Sequence, residues 1–79
     1  MSPTVFYSGS YRFFFFSREE KRIHIHATCA DGEAKFWLEP FVSLADNHGL
    51  SASQLRKLRE LVEEHSDEIK RHWKKHFKS

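Results

Sequence analysis

Two histidines on one predicted strand are the residues whose type and spacing best suit chemistry. His24 and His26 are separated by one residue, so both imidazoles project to the same face of an extended strand. The turn at Asp31-Gly32 brings Lys35, on the next strand, to that face. Imidazole gives and takes protons near neutral pH, and an ammonium group stabilises developing negative charge. The pattern predicts an acid/base set of His24, His26 and Lys35, suited to cofactor-free RNA cleavage by the 2′-hydroxyl.

Aromatic and charged residues surround this set in the predicted hairpin. Whether its loop has two or four residues, even positions before the loop oppose odd positions after it, so Glu33 and Trp37 share the face of the histidines. The register decides whether Lys35 or Trp37 lies directly across from His26. A tryptophan on this face suits base stacking. We therefore predict RNA or substrate contacts at Trp37 and, as further candidates, at Arg12 and Glu33.

Two other interpretations of this face stay open. In the first, the polar side chains are the solvent face of an antiparallel sheet, and His26 packs against Trp37. In the second, His24 and His26 form half of a metal site, since both Nε2 atoms can reach one ion. The local sequence holds no third ligand, which Glu33, Glu39 or a C-terminal histidine would have to supply. We predict no metal and no cofactor.

Alternation of apolar and polar residues predicts the strands that position these side chains. The predicted strands are Thr4–Ser8, Tyr11–Phe16, Arg22–Thr28 and Glu33–Glu39. Pro40 ends the last of them, because proline cannot donate to a sheet ladder. Residues 41–48 are predicted as a short helix that ends at Gly49, where glycine tolerates the left-handed conformation of a C-terminal cap.

An amphipathic helix follows in the second half of the chain. Ser51, with Gln54 three residues later, is a capping-box pattern that predicts a helix start. Apolar residues at three- and four-residue spacing continue to Phe77. One unbroken helix would be about 40 Å long, so residues 66–68 predict either a bend or a segment that overhangs the sheet. An overhang would expose Trp73 and Phe77 for docking on a partner protein.

The composition suits one small α+β domain. The chain has 79 residues, of which 39% are hydrophobic and 30% charged, enough for a core but not for a multidomain enzyme. We predict a single domain over residues 1–79 with two layers. Residues 1–40 give a four-stranded antiparallel sheet and residues 41–79 one long or bent helix, with the histidine face of the sheet uncovered.

Cysteine content and charge bear on location and partners. One cysteine, Cys29, cannot form an internal disulfide, and the longest apolar run is too short to cross a bilayer, so we predict a cytoplasmic protein. Five cations occur near the C-terminus without an intervening acid, namely Lys70, Arg71, Lys74, Lys75 and Lys78. They either oppose the helix dipole or contact RNA phosphates or an acidic partner.

Several segments together resemble one family. They are Pro3–Phe6, Tyr11–Phe15, His24–His26, Gly32–Pro40 and the closing segment from Trp73 to Phe77. In this combination the chain resembles the small prokaryotic domain of unknown function catalogued as four-one-six-zero. Members are often encoded beside another small domain of unknown function, an arrangement similar to a type II toxin–antitoxin pair. The resemblance implies a toxin-like protein with a small antitoxin-like partner.

The leading hypothesis is therefore the toxin-like component of a two-protein module that acts on RNA or translation. Whether it is an enzyme is open, and a metal-independent endoribonuclease is the enzymatic form of the hypothesis. The alternative is a non-catalytic interaction module whose C-terminal helix docks on a cognate protein through Trp73 and Phe77. A homodimer through the Thr4–Ser8 edge or the helix stays open, and no membrane partner is predicted.

Overall fold

The computed structural model describes residues 4–16 and 21–77. One antiparallel sheet contains five strands in the order β1-β2-β3-β4-β5, and two helices follow. The strands are β1 (Thr4–Ser8), β2 (Tyr11–Phe14), β3 (His24–Cys29), β4 (Gly32–Trp37) and β5 (Ser43–His48), and the helices are α1 (Ala52–Glu64) and α2 (Ser66–His76). The predicted α+β class is confirmed. Residues 17–20, between the second and third predicted strands, lie outside the described residues.

The segment before Gly49 is a strand, so the predicted short helix is wrong and the sheet has five strands instead of four. β5 pairs antiparallel with β4, with Asp46 opposite Lys35 and His48 opposite Glu33. Without β5, β4 would present an edge of unpaired N–H and C=O groups. The strand carries few apolar residues, and its side chains only alternate between half-buried and exposed positions. Hydrophobic periodicity therefore gave no signal for it.

The core lies between one face of the sheet and the two helices. It contains buried residues from the sheet and from both helices, including Phe13, Ile25, Ala27, Ala34, Phe36, Leu58, Leu61, Val62 and Ile69. The predicted capping box is present: Ser51 Oγ accepts from the Gln54 backbone N–H at 3.2 Å, and Gln54 Oε1 accepts from the Ser51 N–H at 2.9 Å. Gln54 Nε2 also donates to Asp31 Oδ2 at 2.9 Å, which ties the start of α1 to the β3–β4 turn.

The helical stripe is broken at His65, so two helices replace one long helix, as the sequence allowed. Asp67 and Glu68 occupy the first turn of α2, where acids interact favourably with the positive end of the helix dipole. The His65 ring stacks on Phe6 with a centroid distance of 4.2 Å. This break lets Ile69 reach the core, where its side chain is fully buried.

The end of α2 folds back onto the sheet, so the predicted overhang is wrong. Trp73 and Phe77 are half-buried and pack against the core. The Trp73 ring meets Phe15 edge-on at 5.3 Å, and Phe77 lies 5.9 Å from the same ring. Neither described helix is long and apolar enough to cross a membrane.

Candidate functional site

The hairpin of β3 and β4 places the predicted site residues on one sheet face. His24 lies opposite Trp37, His26 opposite Lys35, and Thr28 opposite Glu33. The predicted pairing of even positions in β3 with odd positions in β4 is therefore confirmed, and Lys35 is the residue directly across from His26. This face lies opposite the core, because the intervening residues of both strands are the buried apolar ones.

His24 is fully buried on this face, with 0% exposure, although the sequence predicted an uncovered imidazole. Its ring contacts Trp73 at 5.1 Å and Trp37 at 5.9 Å, both edge-on. His24 Nδ1 lies 2.8 Å from the Arg22 carbonyl oxygen. A carbonyl only accepts, so Nδ1 carries the proton and donates. An RNA substrate can reach this imidazole only if the side chains packed around it move.

His26 is also buried, with 5% exposure, and sits in an aromatic cluster. Its ring stacks against Phe14 at 5.3 Å and meets Phe16 edge-on at 4.8 Å. The His24 and His26 rings are 5.2 Å apart. Within the described residues, every buried side-chain nitrogen or oxygen has a hydrogen-bond partner. Sequence spacing set the shared face correctly, but neighbouring aromatic rings cover both imidazoles.

The accessible part of the face combines cations with aromatic rings. The Arg12 guanidinium lies 4.6 Å from the centre of the Phe14 ring. The Arg22 guanidinium lies 4.2 Å and Lys35 Nζ lies 4.7 Å from the centre of the Trp37 ring. Each such contact contributes about 0.5–1 kcal/mol at an exposed site. These contacts hold flexible cationic side chains flat over the rings.

Two exposed aromatic residues extend this surface. Tyr7 is 70% exposed and lies opposite Arg12 in the β1–β2 pair, on the same face. Phe16 is 42% exposed and contacts the cluster through the Phe14 ring at 5.6 Å. We call the following six residues the cation–aromatic face: Tyr7, Arg12, Phe16, Arg22, Lys35 and Trp37. The predicted contacts Arg12 and Trp37 and the predicted charge stabiliser Lys35 belong to it. The third predicted contact, Glu33, lies on the same side of the sheet, opposite Thr28 of β3 and His48 of β5.

A histidine–carboxylate pair on β5 borders this face and was missed from the sequence. His48 Nε2 lies 3.1 Å from Asp46 Oδ2, and Asp46 is the cross-strand neighbour of Lys35. The Asn47 backbone N–H donates to the other carboxylate oxygen at 2.9 Å. The pKa of Asp46 lies below its ordinary value of 3.8. The hydrogen bond from Asn47 is the largest cause, and the hydrogen bond from His48 is the next largest. The Asp-x-His spacing is present in the sequence, but the segment that carries it, residues 41–48, was predicted as a helix.

The described ranges, 4–16 and 21–77, bring together no group of three His, Cys, Asp or Glu side chains that would hold a metal ion. The metal interpretation needed a third ligand beside His24 and His26. Aromatic rings occupy the positions around both imidazoles instead.

The sequence matches the family described as Domain of unknown function (DUF4160) over residues 10–74. The chain belongs to this family. The match runs from the β1–β2 turn almost to the end of α2, so it includes every residue of the cation–aromatic face except Tyr7. The family description assigns no activity. No curated protein and no solved structure matches the chain.

Proposed function

We propose that this chain is the toxin-like component of a two-protein module and acts on RNA or translation by binding single-stranded RNA. The observation that supports the proposal is the cation–aromatic face. It places guanidinium and ammonium groups within 5 Å of ring centres on an antiparallel sheet. Sheets that bind single-stranded RNA use aromatic rings for bases and cations for the backbone.

The face holds three rings that suit stacking, two of them exposed and the third half-buried. Tyr7 and Phe16 are exposed, and Trp37 is held in place by its strand and by the cations over it. Base–aromatic stacking contributes about 1–3 kcal/mol per base and tolerates any sequence. The proposed RNA-binding mode therefore has little sequence preference.

Hydrogen bonds to neutral groups help to position the two guanidinium groups of this face. Arg12 Nε donates to Thr4 Oγ1 at 2.8 Å. Arg22 donates to the Glu39 carbonyl oxygen through Nε at 3.2 Å and Nη2 at 3.0 Å. A guanidinium held in this way adds attraction for phosphate without a large loss of side-chain entropy.

Cleavage of the RNA is a finer form of the proposal. It assigns proton transfer to His24 and His26 and charge stabilisation to Lys35. Because His24 is fully buried among aromatic rings that include Trp73 and Trp37, this form also requires the side chains around His24 to move. Binding to the cation–aromatic face requires no such movement, so we place binding first.

The test is fluorescence anisotropy with a labelled uridine oligonucleotide of about 12 nucleotides, a length that suits one small binding domain. Trp37→Ala removes one stacking ring and should weaken binding by about 1–3 kcal/mol, a roughly 5- to 150-fold loss of affinity. Arg59→Gln is the control, because Arg59 is exposed on α1 and its ion pair is with Glu63. Unchanged affinity in Trp37→Ala, or no binding by the wild type, refutes the proposal. The same samples on a denaturing gel test the cleavage form.

The docking function remains a second proposal, supported by the partial exposure of Trp73 and Phe77. In it, a cognate protein contacts the parts of the Trp73 and Phe77 rings that remain exposed, without unfolding α2. Co-expression with the product of the adjacent gene tests it: Phe77→Ser should abolish co-purification, whereas His72→Ser, at an exposed position of α2, should keep it. Co-purification with Phe77→Ser refutes the docking site.

A further inference from the structure

A cationic groove lies where β3 begins and α2 crosses the end of the sheet. Its volume is about 320 Å³. Seven residues line it: Lys21, Arg22, Ile23, Glu39, Lys70, Trp73 and Lys74. This volume falls at the lower end of the range of small-ligand sites, and it suits a group of the size of one nucleotide phosphate with its sugar.

The charges around this groove are unbalanced. Four of its lining residues are lysine or arginine, and Glu39 is the only acid among those described as lining it. Lys70 Nζ lies 3.9 Å from the Glu39 carboxylate, whereas the hydrogen bonds described for Arg22 go to the Glu39 backbone carbonyl. Like charges around a partly enclosed cavity raise its positive potential. An anion bound between them would lower their mutual repulsion.

One wall of the groove is apolar and firmly packed. The Trp73 ring is held by Phe15 at 5.3 Å and by His24 at 5.1 Å, and Ile23 beside it is buried. The groove thus combines a packed flat wall with the ammonium groups of long lysine side chains. That combination suits a phosphate joined to a sugar or base better than a small free anion.

Arg22 connects this groove to the cation–aromatic face. Its guanidinium lies over the Trp37 ring at 4.2 Å, and the same side chain lines the groove. An RNA strand with a base stacked on Trp37 would therefore continue directly into the groove.

We infer that the groove binds a phosphodiester of the single-stranded RNA that stacks on the cation–aromatic face. This inference rests on the proposed function. It assigns Lys70 and Lys74 the role of phosphate contacts, which no stacking argument requires. It also fixes the path of the RNA strand, from Trp37 past Arg22 to Lys70 and Lys74 of α2.

The experiment measures the salt dependence of binding to the same uridine oligonucleotide. Each phosphate contact to a single strand contributes about 0.7 to the slope of log affinity against log salt. Lys70→Gln/Lys74→Gln removes both lysine contacts to the one phosphate in the groove, so it should reduce the slope by roughly 0.7 and weaken binding at low salt. Lys75→Gln is the matched control, since Lys75 adjoins Lys74 on α2 but does not line the groove. Its slope should stay near the wild-type value.

The outcomes separate the two claims. If Lys70→Gln/Lys74→Gln behaves like Lys75→Gln while Trp37→Ala weakens binding, the groove is overturned and the proposed function stands. If the wild type binds no RNA, both are overturned. Thermal unfolding of the double variant near the wild-type midpoint verifies that α2 remains folded. A fall in slope confined to the groove variant supports the inference, because loss of packing at Trp73 would weaken binding without a selective change in slope.

Discussion

His24 offers the sharpest test of how this fold is held together. Its imidazole is fully buried, contacts Trp73 and Trp37, and donates from Nδ1 to the Arg22 carbonyl at 2.8 Å. His24→Ala removes the ring and leaves that carbonyl without this donor. The change therefore separates a histidine that supports the fold from one that acts only on a substrate.

The expected loss follows from the burial and from the hydrogen bond. Truncation of a buried ring to alanine costs about 3 kcal/mol, a value to which the lost hydrogen bond adds about 1 kcal/mol. For a domain of this size, each kcal/mol lowers the melting temperature by about 4–8 °C. With a total loss of about 4 kcal/mol, we expect His24→Ala to melt at least roughly 16 °C below the wild type. His24→Asn should recover about 1 kcal/mol of this loss, because its amide can donate from nearly the position of Nδ1.

Differential scanning calorimetry and urea unfolding measure both variants against the wild type. His72→Ala is the control, since His72 is exposed on α2 and should change the melting temperature little. A wild-type melting temperature in His24→Ala would refute the reasoning, because it would mean that the ring contributes nothing to packing. Equal stability of His24→Ala and His24→Asn would contradict the role assigned to the Nδ1 hydrogen bond, but not the role assigned to ring packing.

Two further predictions concern β5. Because the pKa of Asp46 is lowered in the folded protein, its carboxylate stabilises the fold above its unfolded pKa, and this contribution is lost as pH falls through the folded pKa. The melting temperatures of wild type and Asp46→Asn should thus converge as pH falls below about 4, and a constant difference from pH 7 to acid would contradict the prediction. Gly32→Ala should cost about 1–3 kcal/mol in urea unfolding, because a Cβ at Gly32 would collide with the His48 carbonyl oxygen of β5. Gly9→Ala is the comparison, since Gly9 has a positive φ of 58° but nothing within 4 Å of the added Cβ, and an equal loss in both variants would exclude the collision as the cause.

Local patterns in the sequence were sufficient for several features. The two-residue period put His24 and His26 on the face of Lys35 and Trp37, because the pleat of a strand sets side-chain direction without reference to the rest of the fold. Ser51 and Gln54 marked the start of α1 in the same way, since a capping box satisfies its donors within one turn. These features depend on neighbours within a few residues.

β5 and the groove depend on segments that are distant in sequence. β5 has too few apolar residues for a periodic signal, and it is a strand because β4 offers an unpaired edge beside it. The groove arises because Lys70 and Lys74 of α2 are brought beside Arg22. No spacing along the chain encodes either juxtaposition.

The sequence by itself thus determined the α+β class, the shared face of the histidines and the helix start. Only the tertiary structure decided that His24 is buried, because the covering ring, Trp73, comes from the far end of the chain. Strand alternation reports on which side a residue lies, whereas burial depends on what packs there. That difference moved the candidate site from the histidine pair to the cations and rings around it.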